Sequence, residues 1–242
     1  MSVAVVIPAR LGSTRLPRKA LADIAGEPMV VHVWRRAKQA HGIAEVVVAT
    51  DSEEIAAVVR AAGGEALLTR ADHPSGTDRV AEVARQLDHG SIVNVQGDLP
   101  LLDSTYIEVL AQALQTSGAP MATLATPLAP EEAGRAQVVK VVRNLAGDAL
   151  YFSRSPLPYG GGPGLRHIGM YAYQREFLLK LAALGPTPLE QAEKLEQLRV
   201  LEHGFRLQVA LVEADGDMVE VDTLEDLERA RGVLARRGAG AK

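Results

Sequence analysis

Over the first half of the chain, short unbroken apolar runs alternate with segments whose apolar residues recur every three or four positions. Val3-Ala4-Val5-Val6-Ile7 holds no polar residue, as expected of a strand covered on both faces. Pro28 stands where a helix would begin, and Met29, Val30, Val33, Trp34 and Ala37 follow at helical spacing. Glu45 to Thr50 predicts a second strand. Asp51-Ser52-Glu53-Glu54 then carries a capping-box pattern, with Ile55, Val58, Val59 and Ala62 as the buried stripe and Gly63-Gly64 as the stop. Glu65 to Thr69 predicts a third strand, and a helix follows that ends at Leu87. Ser91 to Val95 predicts a fourth, before a helix with Ile107, Leu110, Ala111 and Leu114 on one face. Strands alternating with helices in this way predict an α/β fold with a mostly parallel sheet.

The second half has a different rhythm. Met121 to Thr126, Val138 to Val142 and Ala149 to Arg154 read as strands without full helices between them, and Gly160 to Gly164 reads as a flexible or tightly turned loop. Ile168 to Tyr173 predicts another strand, with Arg166-His167 immediately before it. Thr187-Pro188-Leu189-Glu190 joins a capping box to a first-turn proline and predicts a helix to about Glu202. Leu207 to Val212 and Val219 to Asp222 predict two late strands. Thr223 to Asp226 caps the last helix, and the tail from Arg237 to Lys242 is expected to fray. The pattern predicts residues 1–242 as one α/β domain with an inserted antiparallel portion at about 120–180.

Composition narrows the function classes. A formal net charge of -4 argues against a general nucleic-acid binder. The absence of cysteine removes disulfides, thiolate catalysis and cysteine-ligated metal sites. No apolar run approaches the ~20 residues of a membrane helix, and the first residues lack a leader pattern. The expectation is a soluble cytoplasmic protein without a membrane partner.

Against that acidic background, Arg10, Arg15, Arg18 and Lys19 cluster directly after the first strand, where open α/β sheets bind ligands. The loop has neither P-loop nor dinucleotide-fold spacing, so it must hold phosphates with side-chain cations and the amides of Gly12 to Thr14. Asp98, in Gln96-Gly97-Asp98 after the fourth strand, and Asp222 near the carboxyl end could share a Mg²⁺ that bridges nucleotide phosphates. Each has a plainer reading, as a turn aspartate and a helix-start residue. Arg70, Ser75, Gly76, Thr77 and Arg79 form a second polar loop, equally readable as a binding loop or a helix cap. Arg166 suits a carboxylate. A lone histidine beside a strand is more often structural, so the residues alone assign no role to His167, nor to His41, His73, His89 or His203.

The motifs together resemble the 3-deoxy-manno-octulosonate cytidylyltransferases. The likeness is carried by P-A-R-x-x-S-T-R-L-P-x-K at Pro8 to Lys19, A-T-D at Ala49 to Asp51, T-R-A-D-H-x-S-G-T at Thr69 to Thr77 and N-V-Q-G-D at Asn94 to Asp98. It continues with A-L-Y-F-S-R at Ala149 to Arg154, R-H-I-G at Arg166 to Gly169, P-L-E at Pro188 to Glu190, L-E-Q-L-R-V-L at Leu195 to Leu201 and V-D-T-x-E-D-L at Val221 to Leu227. The resemblance implies a Rossmann-like nucleotidyltransferase fold of the nucleotide-diphospho-sugar transferase type. It also implies transfer of CMP from CTP to the sugar acid Kdo for lipopolysaccharide, in a homodimer joined through the inserted portion. Carried onto this chain, Arg10, Ser13, Arg15 and Lys19 would hold the CTP phosphates, with Pro8 and Ala9 beside the cytosine and Arg70, Ser75, Gly76 and Gln96 as further contacts. Asp98 and Asp222 would be the Mg²⁺ ligands, and Lys19 and Arg10 would share in catalysis with them. Arg166, His167, Glu196 and Gln197 would grip Kdo, which reverses the structural reading of His167.

Two departures stand out: Leu99 replaces the usual acid of Gln-Gly-Asp-Glu-Pro, and the segment Pro156 to Gly164 is short and glycine-rich. A cytidylyltransferase for a sialic-acid-type or amino-substituted Kdo substrate, a metal-dependent glycosyltransferase, and a nucleotide-binding regulator are the competing readings.

Overall fold

The apolar run at the amino terminus becomes β1 (Val3–Ala9), with Ala4 to Ile7 wholly withdrawn from solvent. The computed structural model describes residues 2–13, 15–159, 163–213 and 217–239. The chain divides into two compact units, Met1–Glu108 with Asp215–Lys242, and Val109–Ala214.

After β1 come a small hairpin, β2 (Asp23–Ile24) with β3 (Glu27–Pro28), and then α1 (Met29–Ala37), β4 (Glu45–Thr50), α2 (Glu53–Ala61) and β5 (Glu65–Leu68). They are followed by α3 (Gly76–Ala84), β6 (Ser91–Asn94) and α4 (Thr105–Ser117). In the first unit the strand order is β6-β1-β4-β5, and every neighbour is parallel. The helix starts are set by side chains: the Ser52 hydroxyl accepts from the Ile55 amide and the Ser75 hydroxyl from the Asp78 amide. Because the strands are parallel, the segments after β1, β4, β5 and β6 all emerge at one sheet edge. That is where such folds place their ligands.

The second unit contains β7 (Met121–Pro127), β8 (Lys140–Arg143), β9 (Ala149–Ser153), β10 (Leu165–Gln174), α5 (Arg175–Ala182), α6 (Pro188–Glu193), α7 (Leu198–Glu202) and β11 (Leu207–Leu211). β10 runs antiparallel to β7 and β8, β9 antiparallel to β8, and β11 parallel to β7. The β10–β7 register shifts between Ile168 and Tyr171, which is a bulge. The buried Lys140 ammonium spends its donors on the carbonyls of Arg135, Val138 and Arg154, and so ties the approach to β8 to the end of β9.

The last segment belongs to the first unit. Val219 and Val221 enter a core cluster with Ile24, Met29, Leu101 and the inner face of α8 (Leu224–Ala239). Thr223 and Asp226 cap α8 reciprocally: the Asp226 amide donates to the Thr223 hydroxyl, and the Thr223 amide to the Asp226 carboxylate.

The mixed α/β architecture, parallel then partly antiparallel, is the one the sequence pattern predicts. Several local expectations are corrected. Val219 to Asp222 is not a strand, since its backbone meets the loop after β6 through a bond from Val221 N to Asp98 O (2.9 Å). The single helix expected from Thr187 to Glu202 is two, because Lys194 adopts a left-handed conformation that ends α6. Arg166 and His167 lie within β10 rather than before it, and α5 is a helix the apolar spacing did not reveal. Thr14, Gly160 to Gly162 of the glycine loop, and 240–242 of the expected frayed tail lie outside the described residues. Among the described residues no helix is long and apolar enough to cross a membrane.

In the second unit Arg199 grips Glu190 with two nitrogens, at 2.8 and 2.6 Å, and the two side chains are only 9% and 12% exposed. Burial alone would raise the Glu190 carboxyl, but the hydrogen bonds from Arg199 and Thr187 outweigh it and hold it below its ordinary range. Arg199→Ala leaves a buried carboxylate unpaired and is expected to lower stability by about 3–5 kcal/mol in urea titration. Arg206→Ala, which breaks a pair whose arginine is 51% exposed, should cost under about 1 kcal/mol. A depressed carboxylate stabilises at neutral pH and stops doing so as pH falls through its folded-state value. The wild-type and Arg199→Ala curves should therefore converge in acid.

Candidate active site

A cavity of about 340 Å³ opens among the strand ends of the first unit. β1 and the loop after it supply Pro8, Ala9, Arg10, Ser13, Arg15 and Lys19. The start of α3 contributes Ser75 and Gly76, the loop after β6 contributes Gln96, Gly97 and Asp98, and the carboxyl-terminal segment contributes Glu220 and Asp222. These elements approach closely. A Cβ on Gly97 would stand 2.7 Å from the Pro8 carbonyl oxygen, so only glycine lets the β6 loop lie against the end of β1.

Lys19 organises the charge. Its Nζ lies 2.8 Å from Asp98 Oδ2 and 3.0 Å from Asp222 Oδ1, with the lysine side chain 18% exposed. Burial pushes the ammonium down, but the two carboxylates together push harder and keep its pKa above the ordinary lysine value. Lys19 is therefore a fixed cation at neutral pH. Arg15 adds a second contact to Asp222, at 3.0 Å, from a mostly exposed position. Arg10 is exposed and forms no ion pair among the described residues, which leaves its guanidinium open to a ligand.

Asp98 Oδ1 is buried and has no hydrogen-bond partner. Such an acceptor is costly to leave unsatisfied, and a cation would satisfy it. Among the described residues no group of three or more ligating side chains forms a protein-only metal cage. Mg²⁺ fits the donor set that is present, because it takes one or two carboxylates and completes its shell with water and phosphate.

Arg18 and Arg70 face elsewhere. Arg18 pairs with Glu54, so Arg10, Arg15 and Lys19 are the basic-loop cations that line the cavity. Arg70 is exposed, bonds to Asp72 at 2.9 Å and lies outside the lining. Several lining residues carried no site assignment from sequence, His73 and Glu220 among them, and Arg79 belonged to the second polar loop whose role the spacing left open. His73 Nε2 meets the Glu82 carboxylate, which also accepts from the Arg70 amide at 3.2 Å. Arg79 is 4% exposed and joins Asp51 (3.1 Å) to the Thr69 hydroxyl, bracing the ends of β4 and β5 against α3. The position of Arg79, one helical turn after Gly76, was the signal available for it. Leu99, which stands where an acid is usual, is buried and does not line the cavity.

The four residues expected to grip the sugar lie in the second unit. Arg166 is partly exposed and its Nη1 is 2.9 Å from Glu132 Oε1. His167 packs edge-on against Phe152, with ring centroids 5.0 Å apart, and its Nε2 is 2.9 Å from Thr123 Oγ1. Burial pushes the His167 imidazole down to about 3, so it is neutral at physiological pH. Gln197, at the start of α7, is buried with its Nε2 unpartnered, and Glu196 is partly buried beside it.

Comparison with known proteins gives a consistent result. The sequence profile of the family described as Cytidylyltransferase matches residues 4–210. A 3-deoxy-manno-octulosonate cytidylyltransferase from Methylobacterium radiotolerans is 52% identical, and the match covers 96% of this chain and 97% of that one. One from Anaeromyxobacter sp. strain Fw109-5 is also 52% identical, over 96% and 97% of the two chains. A solved structure of CMP:2-keto-3-deoxy-manno-octonic acid synthetase complexed with CTP superposes with a TM-score of 0.94 at 43% identity, over 98% of this chain and 100% of that one. A Leptospira borgpetersenii cytidylyltransferase shares the fold, with a TM-score of 0.65 at 19% identity over 98% and 87% of the two chains. With a strand-end cavity organised by Lys19 and likeness over nearly its whole length, the chain belongs to the 3-deoxy-manno-octulosonate cytidylyltransferase family.

Proposed function

We propose that the chain transfers CMP from CTP to the anomeric hydroxyl of 3-deoxy-D-manno-octulosonate (Kdo), giving CMP-Kdo and pyrophosphate for lipopolysaccharide biosynthesis. The observation that carries this reading is the half-buried Lys19 ammonium held between Asp98 and Asp222 in a cavity at the sheet edge. The hydroxyl oxygen bonds to the α-phosphorus as the bridge to the β-phosphate breaks. The obstacle is the charge of the triphosphate and of the departing pyrophosphate, so positioning and neutralisation supply most of the acceleration.

Arg10, Arg15, Lys19 and Ser13 hold the phosphates in this reading, and Lys19 keeps its charge because its two carboxylates oppose the effect of burial. Pro8 and Ala9 flank the cytosine, while Ser75, Gly76 and Gln96 complete the nucleotide contacts, with Arg70 a further one if it leaves Asp72. Asp98 and Asp222 would hold Mg²⁺, which when bound would neutralise phosphate charge and act as a Lewis acid. The unpartnered Oδ1 of Asp98 supports that assignment. Arg166 takes the sugar carboxylate in exchange for Glu132, and His167, Glu196 and Gln197 meet its hydroxyls. The orphaned Gln197 Nε2 supports a polar ligand there. Leu145, Leu150 and Leu211 leave apolar surface exposed on the second unit and support a homodimer joined through it. A cytoplasmic location follows from the intracellular supply of CTP.

Pyrophosphate release from CTP and Mg²⁺ should depend on Kdo, and a sialic acid or 8-amino-Kdo should substitute poorly. Release without any sugar dependence would sink the reading. Asp98→Asn should lower kcat at least about 100-fold with an unchanged circular dichroism spectrum, and chelation by EDTA should abolish turnover until Mg²⁺ is restored. Gly97→Ala should displace the β6 loop from Pro8 and lower kcat/KM for CTP by about 100-fold, measured in the same assay. A near-normal value would show that the two loops need not touch.

A further inference from the structure

The Thr123 hydroxyl is wholly buried on β7, and three groups crowd its single oxygen. Met170 O is 2.8 Å away, Ile168 O is 3.3 Å away, and His167 Nε2 is 2.9 Å away. The bulge in β10 is what turns two carbonyls of the same strand toward one hydroxyl. A hydroxyl has one hydrogen to give, and carbonyl oxygens can only accept. The arrangement that makes hydrogen bonds of both a carbonyl contact and the imidazole contact gives the hydrogen to a carbonyl, Met170 O being the nearer, and Oγ1 meets His167 Nε2 with a lone pair. That contact is a hydrogen bond only if Nε2 carries the proton.

The ring has little freedom to escape this pairing. Phe152 and Tyr171 flank it, and the His167 amide donates to Val139 O at 2.9 Å. Burial keeps the imidazole neutral, so a proton on Nε2 leaves Nδ1 bare. Among the described residues Nδ1 has no partner. A neutral ring with an open acceptor cannot bind a carboxylate and would repel one. It can accept a hydrogen bond from a hydroxyl.

We propose that Thr123 is a positioning residue that holds His167 as the Nε2–H tautomer, so that Nδ1 accepts a hydrogen bond from a hydroxyl of the sugar acid. The sugar contact, though not the tautomer, rests on the function proposed above. The division of labour in Arg166-His167 follows: the arginine answers the carboxylate and the histidine answers a hydroxyl. The pair thus reads two different features of one hydroxylated acid.

The tautomer is testable without turnover. In a long-range ¹H–¹⁵N correlation spectrum of the ligand-free protein at neutral pH, His167 should show a protonated Nε2 and an unprotonated Nδ1. Thr123→Val keeps the shape but removes the hydroxyl. It should populate the other tautomer and raise KM for Kdo about tenfold while leaving KM for CTP unchanged. Thr123→Ser should restore both. A wild-type spectrum with Nδ1–H or with imidazolium overturns the assignment whatever the substrate is, even if Thr123→Val fails to fold. Equal changes in both KM values from a folded Thr123→Val overturn the positioning role. The expected wild-type spectrum without Kdo-dependent turnover overturns the sugar contact and the proposed function, and leaves the Thr123–His167 pair standing.

Discussion

One ammonium group between two carboxylates is the constraint on which the first unit depends. Lys19 comes from the loop after β1, Asp98 from the loop after β6 and Asp222 from the carboxyl-terminal segment. Three charges brought partly out of water must be mutually satisfied, or the desolvation cost is uncompensated. Here the sum is not neutral: one lysine faces two aspartates, and the outer contact from Arg15 is largely solvated. The buried Oδ1 of Asp98 remains without a partner, so the cluster that ties the three segments together still has an acceptor to offer. It is stable enough to form and still short of one positive charge.

The backbone around the cluster keeps those side chains in place. Arg36 of α1 donates to Pro100 O at 2.9 Å and Leu102 O at 3.3 Å, and the Val221 amide donates to Asp98 O. Carbonyls of the β6 loop are thus engaged both by α1 and by the carboxyl-terminal segment. Leu101 and Val221 pack in the same apolar cluster as Met29 and Ile24, so the loop is held from beneath as well. Asp98 is thus held by the backbone on both sides of it, which is what the proposed role of facing phosphate or metal without reorganising would call for.

Much of this was legible in the sequence because parallel sheets impose a strong geometric rule. The apolar run Val3 to Ile7 and the Ile92-Val93 pair within Ser91 to Val95 mark buried strands, and residues just beyond their carboxyl ends must share an edge. Arg10, Lys19 and Asp98 could be placed by that rule alone. Arg18 and Arg70 could not, since their direction is set by Glu54 and Asp72, acids that a pattern of apolar positions does not weigh. Arg79 stood in a loop whose spacing left binding and capping equally open, and its bracing role appears only with its partners Asp51 and Thr69. The bulge in β10 leaves no mark on hydrophobic alternation, so the neighbours of His167 were out of reach. Val219 to Asp222 misled because apolar alternation there reflects packing beneath a loop rather than a ladder.

The position of Asp222 also governs the order in which the molecule can be completed. Its bond to Lys19 spans 203 residues, and the whole second unit lies between the two in sequence. On the ribosome, β1 to β6 are made long before the last carboxylate exists, so Lys19 at first has only Asp98 for a partner. A chain stopped before Val219 would keep its parallel strands but lack both the apolar wedge beneath the β6 loop and half of the acidic pair. The last contact formed is one that completes the cavity at the sheet edge, and under the proposed function nucleotide binding should belong to the finished chain.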